Sequence, residues 1–161
     1  MPDGLYFIVL AGAALGSGLV AGVFFAFSTF VMAALRRLPV EQGIAVMQAI
    51  NVTVLRSAFL LVFALTAGLS AVLAVLGPVV GDAAGGWWSF AGGVGYLAGS
   101  FMLTRAAHIP RNEALARVDP AGVEGASLWR SYLPAWTAWN HVRTLASLAA
   151  AGCFIAGLLV R

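Results

Sequence analysis

Long apolar stretches separated by short polar segments dominate the chain. Four of them, at residues 5–35, 52–76, 87–103 and 133–160, carry few or no charged side chains. Each has at least roughly the 17 residues that an α-helix needs to cross the hydrocarbon core of a bilayer. The pattern therefore predicts an all-α protein, a four-helix transmembrane bundle in which residues 1–161 form a single integral membrane domain.

Two of the connecting segments have helical patterns of their own. Residues 39–51 (PVEQGIAVMQAIN) begin with proline and an early glutamate, and apolar residues then recur at helical spacing. Residues 110–118 (PRNEALARV) repeat this arrangement, and Asp119 and Pro120 then break it. We expect both segments to form short helices at the membrane surface.

The composition excludes a soluble enzyme and a disordered chain. Apolar residues make up 61% of the sequence and charged residues 9%, whereas an ordinary soluble domain has about 25% charged residues. The nine basic residues are all arginine, and the net charge is +3. In a soluble protein such a charge would suggest nucleic acid, but here the arginines belong at the bilayer surface, so we expect lipid and no nucleic acid as partner.

The arginines are distributed unevenly between the two predicted sides of the membrane. The loops after the first and third spans, with the adjoining span starts, hold seven, whereas the opposite side holds Arg161 alone. The positive-inside rule predicts that the arginine-rich side is cytoplasmic and that both termini lie outside. This indicates a bacterial-type inner (plasma) membrane. The seven are Arg36, Arg37, Arg56, Arg105, Arg111, Arg117 and Arg130.

Glycines four residues apart occur in two of the predicted spans. Gly12 and Gly16 form one such pair in the first span, and Gly95 and Gly99 form another in the third. This spacing lets membrane helices approach closely, within one bundle or between copies in a homo-oligomer. The alternative is that glycine is simply common in membrane helices.

Polar residues near the spans concentrate at the predicted cytoplasmic ends. Asn51 begins the second span, Asn112 follows the third, and Asn140, His141 and Arg143 lie near the start of the fourth. Because buried polar groups are expensive in a bilayer, these are the candidates for function. We expect Asn51, Asn112 and His141 to share one pocket beneath an apolar, aromatic-lined chamber. The other reading is that they serve as hydrogen-bonded links between helices.

The sequence contains few residues that could bind a metal or carry out redox chemistry. The single cysteine, Cys153, excludes an internal disulfide and a CxxC motif. We predict no cofactor. If a transition metal such as copper or iron were bound, His108 and His141 would have to hold it with help from other groups.

Several motifs resemble those of the anthrone oxygenase-like family of small integral membrane proteins. These are FSTFVMAALRRLP, GIAVMQAIN, IPRNEALARVDP and WRSYLPAWTAWNHVRTLASLAAA. The resemblance implies a four-span protein and oxidation of an anthrone by molecular oxygen. His108 departs from the family pattern, which has asparagine there. The matching positions are Asn51, Pro110, Asn112, Trp136, Trp139, Asn140, His141 and Arg143.

The chemistry that the resemblance implies needs a neutral base, donors for an enolate oxygen, and flat apolar walls. His141 is expected to be the base, and Arg143 or Asn140 the donor to the oxygen. We expect the substrate to be bound by Asn51, Asn112, Tyr132, Trp136 and Trp139. The sequence leaves two alternatives open: a non-catalytic protein that binds a lipophile or assists membrane assembly, and a metal-dependent membrane oxidase.

Overall fold

The structure is a computed structural model that describes residues 3–81 and 83–160, and all of the regular secondary structure in this part of the chain is helical. Three segments are π-helical, and we call them the first, second and third π segments in chain order. The elements are α1 (Asp3–Ala26), the first π segment (Phe27–Val31), α2 (Met32–Leu35), α3 (Val40–Val54), α4 (Ala58–Val80), α5 (Ala83–Tyr96), the second π segment (Leu97–Met102), the third π segment (Thr104–His108), α6 (Ile109–Ala116) and α7 (Val123–Leu159).

Helices α1, α4, α5 and α7 form a four-helix bundle. Helix α1 packs against α4 and α7, and α5 packs against the same two helices from the other side. The short helices α3 and α6 pack against the N-terminal part of α7 at one end. The prediction of an all-α helical bundle is therefore confirmed.

The outer surface of the bundle is apolar, as expected of a protein embedded in lipid. Leu15, Leu65 and Leu148 are each more than half exposed. Within the described residues, three helical stretches are long and apolar enough to cross a membrane: Gly4–Leu35, Ala58–Val80 and Val123–Leu159. The chain is a membrane protein.

The remaining predicted span, residues 87–103, lies in a helical path that the π segments interrupt. Helix α5 ends at Tyr96, and the path then continues through both π segments into α6. The helical path runs beyond residue 103, where the predicted span ends, because every residue between Leu97 and His108 stays in the helical region. A fourth crossing of the membrane stays a prediction.

Three further boundaries differ from those predicted. The second span was expected from residue 52, but Ser57 is extended and separates α3 from α4. It was also expected to stop before Pro78, yet α4 continues to Val80, since a proline so near the helix end removes few backbone hydrogen bonds. The fourth span was expected from residue 133, but α7 begins at Val123.

The predicted helix over residues 39–51 is observed as α3, and the one over 110–118 as α6. Gln48 of α3 explains how the end of α6 is held. Its Nε2 donates to the carbonyl oxygens of Leu115 at 2.8 Å and Val118 at 3.1 Å. The Leu115 carbonyl also accepts from the Val118 N–H at 3.5 Å, and Val118 lies beyond the end of α6, so the amide acts as an additional cap from a neighbouring helix.

Glycine allows a close helix contact between α5 and α4. A Cβ atom on Gly93 would lie 2.5 Å from the carbonyl oxygen of Ser70 and 2.8 Å from the backbone nitrogen of Ala74. Backbone atoms cannot yield to such a contact, so Gly93 must remain without a side chain. A Cβ on Gly95, by contrast, would meet nothing within 4 Å among the described residues.

Candidate functional site

Polar side chains form one continuous layer between the two apolar cores of the bundle. One core surrounds Tyr96 and Phe154, and the other surrounds Met47 and Trp129. All three π segments meet α7 at this layer. Because π segments widen a helix locally and are frequent at functional sites, their position singles out the layer. The polar members buried there are His108, Asn140, Arg143, Thr144, Ser100 and Ser147.

Arg143 of α7 lies at the centre of the layer and is only 5% exposed. Its Nη1 donates to Thr104 Oγ1 at 3.0 Å, and its Nη2 donates to Asn140 Oδ1 at 2.5 Å. The guanidinium carbon lies 4.0 Å from the ring centroid of Phe24 and 5.4 Å from that of Trp136. Two hydrogen bonds and two aromatic faces thus hold a buried cation.

No carboxylate neutralises this cation in the part of the chain whose side chains are described, residues 4–81 and 84–160. The acidic residues there, Glu41, Glu113, Asp119 and Glu124, are all exposed. The one ion pair found among these residues joins Arg117 to Glu113 at the surface. The Nε atom of Arg143 is buried without a hydrogen-bond partner. Since burying an unpaired charge costs several kcal/mol, on the order of 3–5 when a partner is removed, this arrangement favours an anionic group beside Arg143.

Asn140 connects Arg143 to the first helix. Its Nδ2 donates to the carbonyl oxygen of Phe24 and to Ser28 Oγ, both at 2.7 Å. Its Oδ1 accepts from Arg143, so the amide orientation is fixed from both ends. Ser28 belongs to the first π segment, which places its hydroxyl within reach of α7.

A second hydrogen-bonded group adjoins the first through Trp136. Asn112 Oδ1 accepts from the Tyr132 hydroxyl at 2.8 Å and from Trp136 Nε1 at 3.0 Å. Asn51 also approaches the Tyr132 hydroxyl, but its Nδ2 is buried without a hydrogen-bond acceptor among the described residues. The structure therefore brings together Asn51, Asn112 and Tyr132.

His108 closes the layer on the side of the third π segment. It is 1% exposed, and its ring packs edge-on against Trp136 with the centroids 4.9 Å apart. Burial, and after it the charge of Arg143, lowers the pKa of His108 to about 3. The ring is therefore neutral at neutral pH.

Comparison with known protein families identifies a family whose matched segment includes most of this layer. Residues 52–153, more than half of the chain, match the family described as anthrone oxygenase. The chain belongs to the anthrone oxygenase family. No curated protein and no solved structure matches it.

The segment matched to the anthrone oxygenase family carries most of the layer. Asn112, Tyr132, Trp136, Asn140 and Arg143 all lie within residues 52–153. The resemblance noted in the sequence is thereby confirmed at the level of the family.

Two of the predicted site residues of this anthrone oxygenase family member face outward. His141 is exposed, and Trp139 is 41% exposed. The expectation that His141 shares a pocket with Asn51 and Asn112 is therefore wrong. On a helix, neighbouring residues point about 100° apart, and because Asn140 faces the bundle, His141 faces away from it.

The structure offers few groups for a metal. No cluster of three or more His, Cys, Asp or Glu side chains occurs among the described residues. His108 is buried and His141 is exposed, so the two histidine side chains that a metal site would need do not face a common position.

Surface depressions lie away from the polar layer. One of about 500 Å³ is lined by Arg117, Glu124 and Ser131 among others, and one of about 230 Å³ lies near Pro39 and Pro120. Neither of these two depressions is lined by residues of the polar layer.

Sequence reasoning missed several residues of this site, among them Phe24 and Ser28. Phe24 supplies the ring against the Arg143 guanidinium, and Ser28 binds Asn140. A hydroxyl inside an otherwise apolar span could have pointed to Ser28. Phe24 gave no signal, since it is one of ten phenylalanines in the chain.

Proposed function

We propose that this membrane protein oxidises a lipophilic, anthrone- or hydroquinone-like aromatic compound with molecular oxygen at the polar layer. The observation that carries the proposal is the buried Arg143 guanidinium, which has no carboxylate among the described residues and one unpaired N–H. Membership of the anthrone oxygenase family supports the same chemistry.

Anthrone oxidation generates an anion that suits this cation. Loss of a proton from the benzylic carbon of an anthrone gives an enolate, whose negative charge lies largely on oxygen. A preorganised buried donor stabilises such an oxygen far more than water does. Arg143 would bind the enolate oxygen through its free Nε, while Thr104 and Asn140 keep the guanidinium in place.

Aromatic side chains around Arg143 suit a flat substrate. Phe24 and Trp136 lie on the guanidinium, and Phe27 packs on Trp136 with ring centroids 5.6 Å apart. Asn112 fixes the indole through Nε1, and the free Nδ2 of Asn51 is available to a second substrate oxygen. The substrate would enter from the bilayer, since lipophilic molecules partition there.

The overall reaction balances without an organic cofactor. The enolate gives one electron to oxygen, the resulting radical pair forms a C–O bond, and a proton completes a hydroperoxide. Loss of water from the hydroperoxide then leaves a carbonyl group. One oxygen atom of O₂ is retained in the quinone, and the other leaves as water with both hydrogens of the reacting carbon.

Oxygen uptake by the purified protein in lipid nanodiscs, with anthrone as substrate, tests the proposal. We expect uptake and anthraquinone formation above the rate in empty nanodiscs. Arg143→Gln should reduce the rate by about 10²-fold, the usual loss for one oxyanion donor. Arg105→Gln is the matched control, because Arg105 is exposed beside Thr104. A wild-type rate equal to that of empty nanodiscs would refute the proposal.

A non-catalytic role as a lipophile-binding or assembly protein has one observation in its favour. The polar layer is closed, and its hydrogen bonds join α1, α7 and the third π segment. Under this alternative, Arg143→Gln would lower the stability of the bundle, and anthrone would be oxidised no faster than in empty nanodiscs.

A further inference from the structure

His108 is a second buried polar group beside Arg143. The reaction proposed above assigns it no role. Neither ring nitrogen has a hydrogen-bond partner of good geometry in the described part of the chain. An unsatisfied buried polar group costs about 1–3 kcal/mol. Packing against Trp136 alone would therefore favour an apolar residue at this position.

We infer that His108 is the catalytic base of this site, accepting the proton from the reacting carbon of the substrate whose oxygen Arg143 binds. The inference rests on the proposed function. It replaces His141, whose exposed side chain lies outside the polar layer.

The surroundings of His108 leave one nitrogen free to accept a proton. A neutral imidazole carries one N–H and one lone pair. The carbonyl oxygens of Leu103 and Trp136 lie near the ring and favour its protonated form. In the neutral ring the nitrogen without the proton keeps its lone pair, with no donor from the described residues bound to it.

Burial, and after it the charge of Arg143, lowers the basicity of this ring. In the free protein the guanidinium disfavours an imidazolium beside it. When the enolate oxygen forms against Arg143, its negative charge offsets the cation, and the imidazolium is stabilised. The net charge of the site is the same before and after the transfer, because the new imidazolium and the new enolate have opposite charges and lie beside each other.

The proton transfer is balanced within the site. The C–H bond of the substrate breaks, an N–H bond forms on His108, and the electron pair passes into the enolate. After oxygen has added, the imidazolium returns its proton to the peroxide. His108 is thus neutral again when water leaves.

Hydrogen exchange in the absence of oxygen isolates this step from oxidation. Anthrone deuterated at the benzylic carbon is incubated anaerobically with the protein in nanodiscs, and loss of deuterium is followed by mass spectrometry. We expect the wild type to accelerate exchange over empty nanodiscs. His108→Asn and His108→Gln replace the ring with an amide, which can form hydrogen bonds but cannot take up a proton. Both variants should slow exchange by about 10²-fold or more.

The His141→Gln variant tests which of the two histidines is the base. Arg105→Gln is the control for purification and folding. Under the inference, folded His141→Gln exchanges deuterium like the wild type. Loss of exchange in that variant would assign the base to His141 and overturn the inference, even if the His108 variants failed to fold.

The failure of the inference and that of the proposed function are distinguishable. Wild-type exchange in folded His108→Asn would overturn the inference alone, because oxygen uptake by the wild type would stand. A wild type that catalyses neither exchange nor oxygen uptake would overturn both.

Discussion

Acid should destabilise the folded protein through His108. Burial, and then the charge of Arg143, lowers the pKa of this ring to about 3 in the folded chain, whereas a histidine in an unfolded chain titrates near about 6.5. Below that value the unfolded chain binds a proton that the folded chain does not. The free energy of unfolding is therefore at its full value above pH 6.5 and falls as the pH falls toward the folded pKa.

The size of the effect follows from the pH interval between the folded and the unfolded pKa of His108. Each pH unit inside it corresponds to about 1.4 kcal/mol. From pH 7 to pH 5 the loss is about 2 kcal/mol, because only the part below the unfolded pKa counts. His108 is 1% exposed, so water does not screen the interaction.

Unfolding by guanidinium chloride in a neutral detergent, followed by tryptophan fluorescence at pH 7 and pH 5, measures this loss. His108→Asn removes the titrating ring and retains every carboxylate, so the difference between the two proteins isolates His108. We expect the variant to lose about 2 kcal/mol less than the wild type over this interval. Equal pH dependence in the two proteins would show that His108 is not held neutral by the fold.

Three further outcomes are expected. Gly93→Ala should lower the free energy of unfolding by about 1–3 kcal/mol, because its Cβ would meet the backbone of α4, whereas Gly95→Ala should change it little. Asn112→Ala removes two hydrogen bonds and should cost about 1 kcal/mol; an unchanged unfolding midpoint would contradict this. For the topology, a Val40→Cys variant should resist an impermeant thiol reagent in intact cells, and labelling there would reverse the predicted orientation.

The bundle and the level of the polar layer could be predicted because both follow from the cost of polar groups in lipid. Asn140 and Arg143 stand three residues apart in an apolar stretch, which places them on one helix face. Their direct hydrogen bond bears out this reading.

The orientation of His141 could not be predicted in the same way. Helix α7 is apolar on its outer side as well as on its inner side, because lipid and protein core are equally apolar. Hydrophobic periodicity therefore does not tell which face is inside. The sequence treated Asn140 and His141 alike, and the structure buries the first and exposes the second.

The π segments could not be predicted from the sequence pattern either. Nothing in LAGSFM or TRAAH distinguishes them from ordinary helix by residue type. Side chains of these segments contact α7, as Thr104 does with Arg143 and Ser100 with Ser147. Such contacts are tertiary, so a window of neighbouring residues does not contain them.

The third π segment contains one residue more than an α-helix needs at this point. A π turn holds about one residue more than the 3.6 of an α turn. Deleting the exposed Ala106 would therefore close Thr104–His108 into an ordinary α turn and leave the helix on either side in nearly the same rotation. Asn112 would stay beside Tyr132 and Trp136. A one-residue deletion in the α-helical part of the path before Asn112 would instead turn Asn112 by about 100° away from these partners.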